Sequence, residues 1–147
     1  MALGSSMKVS ASGLTAERLR LDVISNNLAN VNTTRDASGQ PYRRQVVEVS
    51  ARGGSAFANA LAGARGGNSG GQGVQVTAVK PDTTPFKIVH DPGHPDADAQ
   101  GNVKMPNIEP VVEMVDMISA SRAYEAGVTA INSAKQMESR ALDIGRA

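Results

Sequence analysis

Residues 14–34 read LTAERLRLDVISNNLANVNTT, and the fold turns on what this stretch forms. Leu14, Leu21, Ile24, Leu28 and Val31 keep intervals of three, four and seven, the spacing of one helix face. Four asparagines, Asn26, Asn27, Asn30 and Asn32, run alongside that face. Asparagine is a poor helix-interior residue because its amide competes for backbone hydrogen bonds. A buried carboxamide is costly unless each donor and acceptor is met, and where they are met it fixes alignment. Asn26, Asn27 and Asn30 are therefore expected to set register along an apolar seam, and Asn32 to end the helix in a left-handed turn.

Working outward, the same alternation reaches back through Ser10 and Met7 to Leu3, with Glu17 and Ser10 as the polar interruptions. The N-terminal segment, 1–32, is expected to be a long helix, surest from Leu14 onward. A break near Gly13 would make Thr15 its N-cap. At the other end, Met114, Met117, Ser121, Tyr124, Val128 and Ile131 form a second seam, with Val111, Val115 and Ile118 as a neighbouring stripe. Pro110 suits the first turn of this helix, and the segment 110–147 is expected to be helical nearly throughout. About 34 helical residues make a rod of about 50 Å. So long a helix needs apolar partners that the rest of the chain does not supply.

The middle, 33–109, differs in kind. QPYRRQVVEVSA (40–51) and GVQVTAV (73–79) alternate as strands do, and PFKIVHD (85–91) is a third candidate. RGGNSGGQG (65–73) has the composition of a flexible linker, so a mobile loop is expected over about 63–73. The fold class is α+β: two long terminal helices around a small β-rich excursion.

Composition narrows the function. The 147 residues carry 15 Lys and Arg against 14 Asp and Glu, a formal net charge of +1, with no basic run for nucleic acid or anionic lipid. The absence of cysteine removes disulfides, thiolate metal sites and a cysteine nucleophile. No segment approaches the roughly 20 apolar residues of a membrane span, and the first residues lack the pattern of a cleaved signal peptide. Direct membrane insertion is not expected, and neither is a cofactor. One cluster has the residue types of a metal site: His90, His94, Asp96 and Asp98, which would suit Zn²⁺ or another divalent ion in a metal-binding module or metal-dependent enzyme. Pro92, Gly93, Pro95 and Gly101 punctuate the same stretch, and a turn-rich structural loop is the favoured reading.

SASGLTAERLRLDVISNNLANVNTT (10–34) resembles the N-terminal signature of bacterial flagellar rod, hook and hook-associated axial proteins. EMVDMISASRAYEAGVTAINSAKQM (113–137) resembles their C-terminal helix. GQPYRRQVV (39–47), HDPGHPDADAQGNVKMPNIEP (90–110) and the short length are similar to the proximal-rod branch. The resemblance implies a non-enzymatic structural subunit. Its terminal helices would pair as a coiled-coil-like hairpin and stack with those of neighbours into the helical shaft that carries motor torque to the hook. It also implies terminal helices disordered in the free subunit, export through the flagellar type III apparatus and a place in the rod across the periplasm. The implied partners are further copies of the chain, other proximal and distal rod subunits, and the hook-basal body protein at the rod base.

Overall fold

The computed structural model describes residues 2–53 and 73–145. Their elements in chain order are α1 (Ala2–Ala29), β1 (Gln45–Ala51), β2 (Val74–Pro81), β3 (Lys87–His90), β4 (Asn102–Met105) and α2 (Pro110–Ile144). The α+β class is as expected: two long helices flank a small set of antiparallel strands. Except for Gly73, the glycine-rich loop lies outside the described residues.

α1 does not break at Gly13. It is continuous from Ala2, and the Thr15 hydroxyl donates back to the Ala11 carbonyl at 3.0 Å, which makes Thr15 an interior residue and not an N-cap. The helix also stops sooner than expected, at Ala29. Asn30 is the residue that ends it: its N–H is shared between the Asn26 and Asn27 carbonyls, and its side chain donates to the Asn26 carbonyl at 2.9 Å. The Thr33 hydroxyl then donates to Asn30 Oδ1. No non-glycine residue among those described has a positive φ, so the turn is not the left-handed asparagine stop. Pro110 opens α2 as the spacing required, in the first turn, where its missing N–H has no intrahelical partner to lose.

β1 and β2 pair in one two-stranded sheet; at one end the Arg52 N–H donates to the Gly73 carbonyl, and further along the Thr77 hydroxyl donates to the Glu48 carbonyl, so position rises on one strand as it falls on the other. β3 and β4 form a second antiparallel pair, Lys87 opposite Met105 and His90 opposite Asn102. β4 is the strand that periodicity missed, because four residues carry too short an alternation. Val103 at its centre is nonetheless among the most enclosed side chains, 1% exposed.

The described residues fall into two compact units that cut across the three segments read from the sequence. One comprises 2–19, 48–53, 73–78 and 121–145; the other comprises Arg20–Val47 and Val79–Ala120. In the first, Ala16 and Ala134 are buried, and Leu14 approaches Gly127 so closely that a Cβ there would lie 2.8 Å from Leu14 Cδ2. Ser12 donates to the Val9 carbonyl and accepts the Val74 N–H at 3.0 Å, clasping α1 to the start of β2. In the second, Val23, Ile24, Val103, Pro106, Ile108 and Ala120 form the apolar core, together with two polar residues, Asn27 and Glu113.

The buried helix faces differ from the expected seams. On α1, Leu14, Leu21 and Leu28 are half-buried and Ile24 is buried, with Val31 half-buried in the turn beyond, while Ala16, Val23 and Asn27 mark a second, enclosed line. On α2 the enclosed line is Glu113, Ala120 and Ala134 with the half-buried Gly127, a heptad of small residues below one acid. Met117, Ser121, Tyr124 and Ile131 are half-buried beside it, whereas Met114 and Val128 lie exposed. The line enclosed within the chain thus lies one residue from the large apolar line at alternate positions. Small side chains let another backbone approach closely, so the line that periodicity of large residues selects is not the one enclosed.

Candidate functional site

Asn27 stands at the centre of the second unit, 1% exposed. The periodicity that places Val23 on the buried face of α1 carries Asn27 there one turn later. Its Oδ1 accepts the Gln45 N–H at 2.9 Å and the Tyr42 hydroxyl at 3.3 Å. Its Nδ2 donates to the Gln45 carbonyl at 2.9 Å and to Glu113 Oε2 at 3.1 Å. The paired N–H and C=O of Gln45 fix which end of the amide is oxygen. One side chain therefore holds the first residue of β1 by its backbone and α2 by its first-turn carboxylate, and every polar atom it buries is satisfied.

Glu113, also 1% exposed, takes a charge-assisted bond from Arg44 Nε on its other oxygen. Arg44 spreads its remaining donors to Asp82 Oδ2 at 3.4 Å and Asp116 Oδ2 at 3.5 Å, while its backbone N–H meets Asn107 Oδ1 at 2.9 Å. Burial acts to lower the Arg44 pKa, but the hydrogen bonds and charges of Glu113 and Asp82 outweigh it and hold the guanidinium above its ordinary value. Burial, and then the Glu113 charge, push the Tyr42 phenol up, so it remains the donor that the junction requires. Backbone bonding from Thr84 holds Asp82 below the ordinary carboxylate value. Arg43 completes the surround, stacked 4.2 Å over the Phe86 ring and donating to the Asp82 and Thr84 carbonyls.

The expected site residues are distributed unevenly. Asn27 is placed in a polar junction within its own chain, where the sequence reading set all three amides to align helices. Asn26 is exposed, and its backbone carbonyl takes the Asn30 side chain. Glu113, Arg44, Tyr42 and Gln45 were missed. The signals available were an acid in the first turn of α2 and the paired Tyr-Arg-Arg before β1, neither specific without the fold.

The metal reading fails on geometry. His90 Nδ1 pairs with Asn102 Oδ1 at 3.2 Å, and His94 Nδ1 accepts the Asp96 N–H. Asp96 binds the Thr34 hydroxyl at 2.7 Å and Arg35 at 3.5 Å, and Asp98 caps the Gln100 and Asn102 N–H groups. Each side chain is engaged by a different neighbour, and no three such donors converge among the described residues.

A second feature lies on the outside of α2. Val111, Met114, Val115 and Ile118 are 69%, 46%, 60% and 54% exposed, at the i, i+3, i+4 and i+7 positions of one face. Leaving four large apolar groups in water on one face is the pattern of a surface that meets another chain.

Two family profiles match the ends of the chain: flagella basal body rod protein over residues 7–35, and flagellar basal body rod FlgEFG protein C-terminal over residues 99–144. Flagellar basal-body rod protein FlgC of Bacillus subtilis (strain 168) is 46% identical, covering 96% of this chain and 97% of its own. The FlgC of Borreliella burgdorferi is 49% identical over 98% of both chains, and that of Escherichia coli O6:H1 is 41% identical over 99% and 100%. The chain belongs to the FlgC family of flagellar basal-body rod proteins, and is a structural subunit of the rod.

Proposed function

We propose that this chain polymerises through its terminal helices into the helical shaft that transmits motor torque to the hook. The observation that carries this reading is the unpartnered apolar face of α2, Val111, Met114, Val115 and Ile118, on a helix whose opposite side is already engaged within the subunit. The contact residues are drawn from the two seams: Leu14, Leu21, Ile24 and Leu28 with the exposed Asn26 on α1, Asn30 and Val31 in the turn after it, and Met114, Met117, Ser121, Tyr124, Val128 and Ile131 on α2. Asn27 belongs to that set through the junction that sets the angle between its elements. In the rod the helices pair as a coiled-coil-like hairpin. The partners are other copies, the proximal and distal rod subunits, and the hook-basal body protein at the base. The chain reaches the rod across the periplasm through the type III apparatus.

Val115→Asp tests this reading. A charge at a position 60% exposed leaves the free subunit's stability within about 0.5 kcal/mol of the parent. It should abolish rods and swimming, because an unpaired carboxylate in an apolar contact is strongly unfavourable. Basal bodies of normal rod length and composition from that variant would refute the assignment.

A further inference from the structure

A groove of about 530 Å³ lies in the second unit, between the β2–β3 turn and the segment that leads into α2. Every residue of that unit is described. Pro85, Ile108 and Val112 give the groove an apolar wall, and Lys87 and Glu109 stand exposed on its lining. Arg44 is already committed to Glu113 and Asp82, whereas neither Lys87 nor Glu109 takes part in an ion pair among the described residues. The groove therefore offers apolar surface together with one uncommitted cation and one uncommitted anion.

The last turns of α2 carry the matching set. Met137 and Ile144 are 55% and 79% exposed, with Arg140 between them on the same helix face and Asp143 at its edge. Arg140 and Asp143 stand three residues apart, yet no ion pair among the described residues includes either. The last turn of α2 contains no basic residue, so Asp143 adds to the negative end of the helix dipole and a cation brought there is stabilising. α2 is unbroken and rises about 1.5 Å per residue, so its own last turns cannot fold back onto its first. Whatever helix end enters the groove belongs to another molecule.

From this complementarity we infer that the groove receives the last turns of α2 from a second copy of the chain. Ile144 enters the apolar wall, Asp143 pairs with Lys87, and Arg140 pairs with Glu109. This rests on the assembly reading above and names one contact within it. Groove and helix end are different surfaces, so the contact is heterologous: a copy that fills its neighbour's groove still offers its own, and the chain of contacts stays open-ended. The two charge pairs also select register, because a shifted helix end sets like charges together.

Lys87→Glu, Asp143→Lys and the two combined, each made in the full chain, test the inference. Incorporation is measured in basal bodies from cells with no other copy of the gene, and urea unfolding is followed on the purified subunit. Both positions are exposed, so the urea midpoint should stay at the parent's. Each single reversal sets like charges against each other and should lower incorporation at least about ten-fold. The combined reversal restores opposite charges and should return incorporation to within about three-fold of the parent. Normal incorporation of either single variant would overturn the inference, and so would a combined variant no better than the singles, which would mean that the two side chains meet other partners. The chain has no cysteine, so Lys87→Cys with Asp143→Cys gives a second readout. Oxidation of its basal bodies should link copies into species larger than a dimer on non-reducing gels; products no larger than a dimer would equally overturn the inference. Failure of the rod reading itself shows separately, as absence of the unsubstituted chain from basal bodies.

Discussion

Asn26 and Asn27 are chemically identical neighbours, and the fold treats them oppositely. Asn27 is enclosed with every donor and acceptor paired, while the Asn26 side chain faces solvent. Asn27→Ala strips partners from the Gln45 backbone and from Glu113 Oε2 in a site closed to water. It should cost about 3 kcal/mol, read as a shift in the urea midpoint. Asn26→Ala should cost less than about 0.5 kcal/mol in the same measurement. Equal effects at the two positions would contradict the junction. The asparagine cluster itself was visible from the sequence. Which amide is enclosed was not, because its partners lie 18 and 86 residues away.

At the scale of elements, two of the three helical glycines, alike in a composition count, sit in opposite surroundings. A Cβ at Gly13 would meet nothing within 4 Å, so Gly13→Ala should stabilise α1 by about 0.5–1 kcal/mol, seen as a higher melting temperature by circular dichroism. At Gly127 the added Cβ would press on Leu14. Gly127→Val should therefore lower the melting temperature, and Leu14→Ala should restore part of the loss by vacating that space; no rescue would show that the two side chains do not meet. The helices were legible from their 3.6-residue period and β1 and β2 from alternation. The enclosed face of α2 was not, since its line of Glu113, Ala120, Gly127 and Ala134 offers no large apolar residue to a periodicity search.

At the scale of the whole molecule, charge linkage sets the pH range of stability. Asp36 is held below its ordinary value of 3.8 first by the Ser38 side chain, and Asp82 below the same value first by Thr84. A lowered folded pKa contributes stability that is fully present above the unfolded value and disappears as pH falls through the folded one. Stability should thus decline below about pH 4. Tyr42 is raised above its ordinary 10.0 by burial and then by Glu113. That contribution is complete below pH 10 and is lost as pH rises through the folded value. Urea midpoints measured from pH 3 to 11 should show a plateau with both declines, and Tyr42→Phe should flatten the alkaline one. An unchanged alkaline decline in Tyr42→Phe would remove the phenol from that role.

The sequence by itself determined the class of element at each end, the two longer strands and the membership that SASGLTAERLRLDVISNNLANVNTT and its C-terminal counterpart announce. These follow from local spacing and from motifs contiguous in the chain, which need no knowledge of what lies opposite. Only the tertiary structure decided which side of each helix is enclosed, that Val103 anchors a strand, and that Glu113 and Arg44 close around Asn27. Burial depends on how near an opposing backbone can come. On α2 that favours Ala120 and Gly127 over Met114 and Val128, and leaves the larger side chains facing outward.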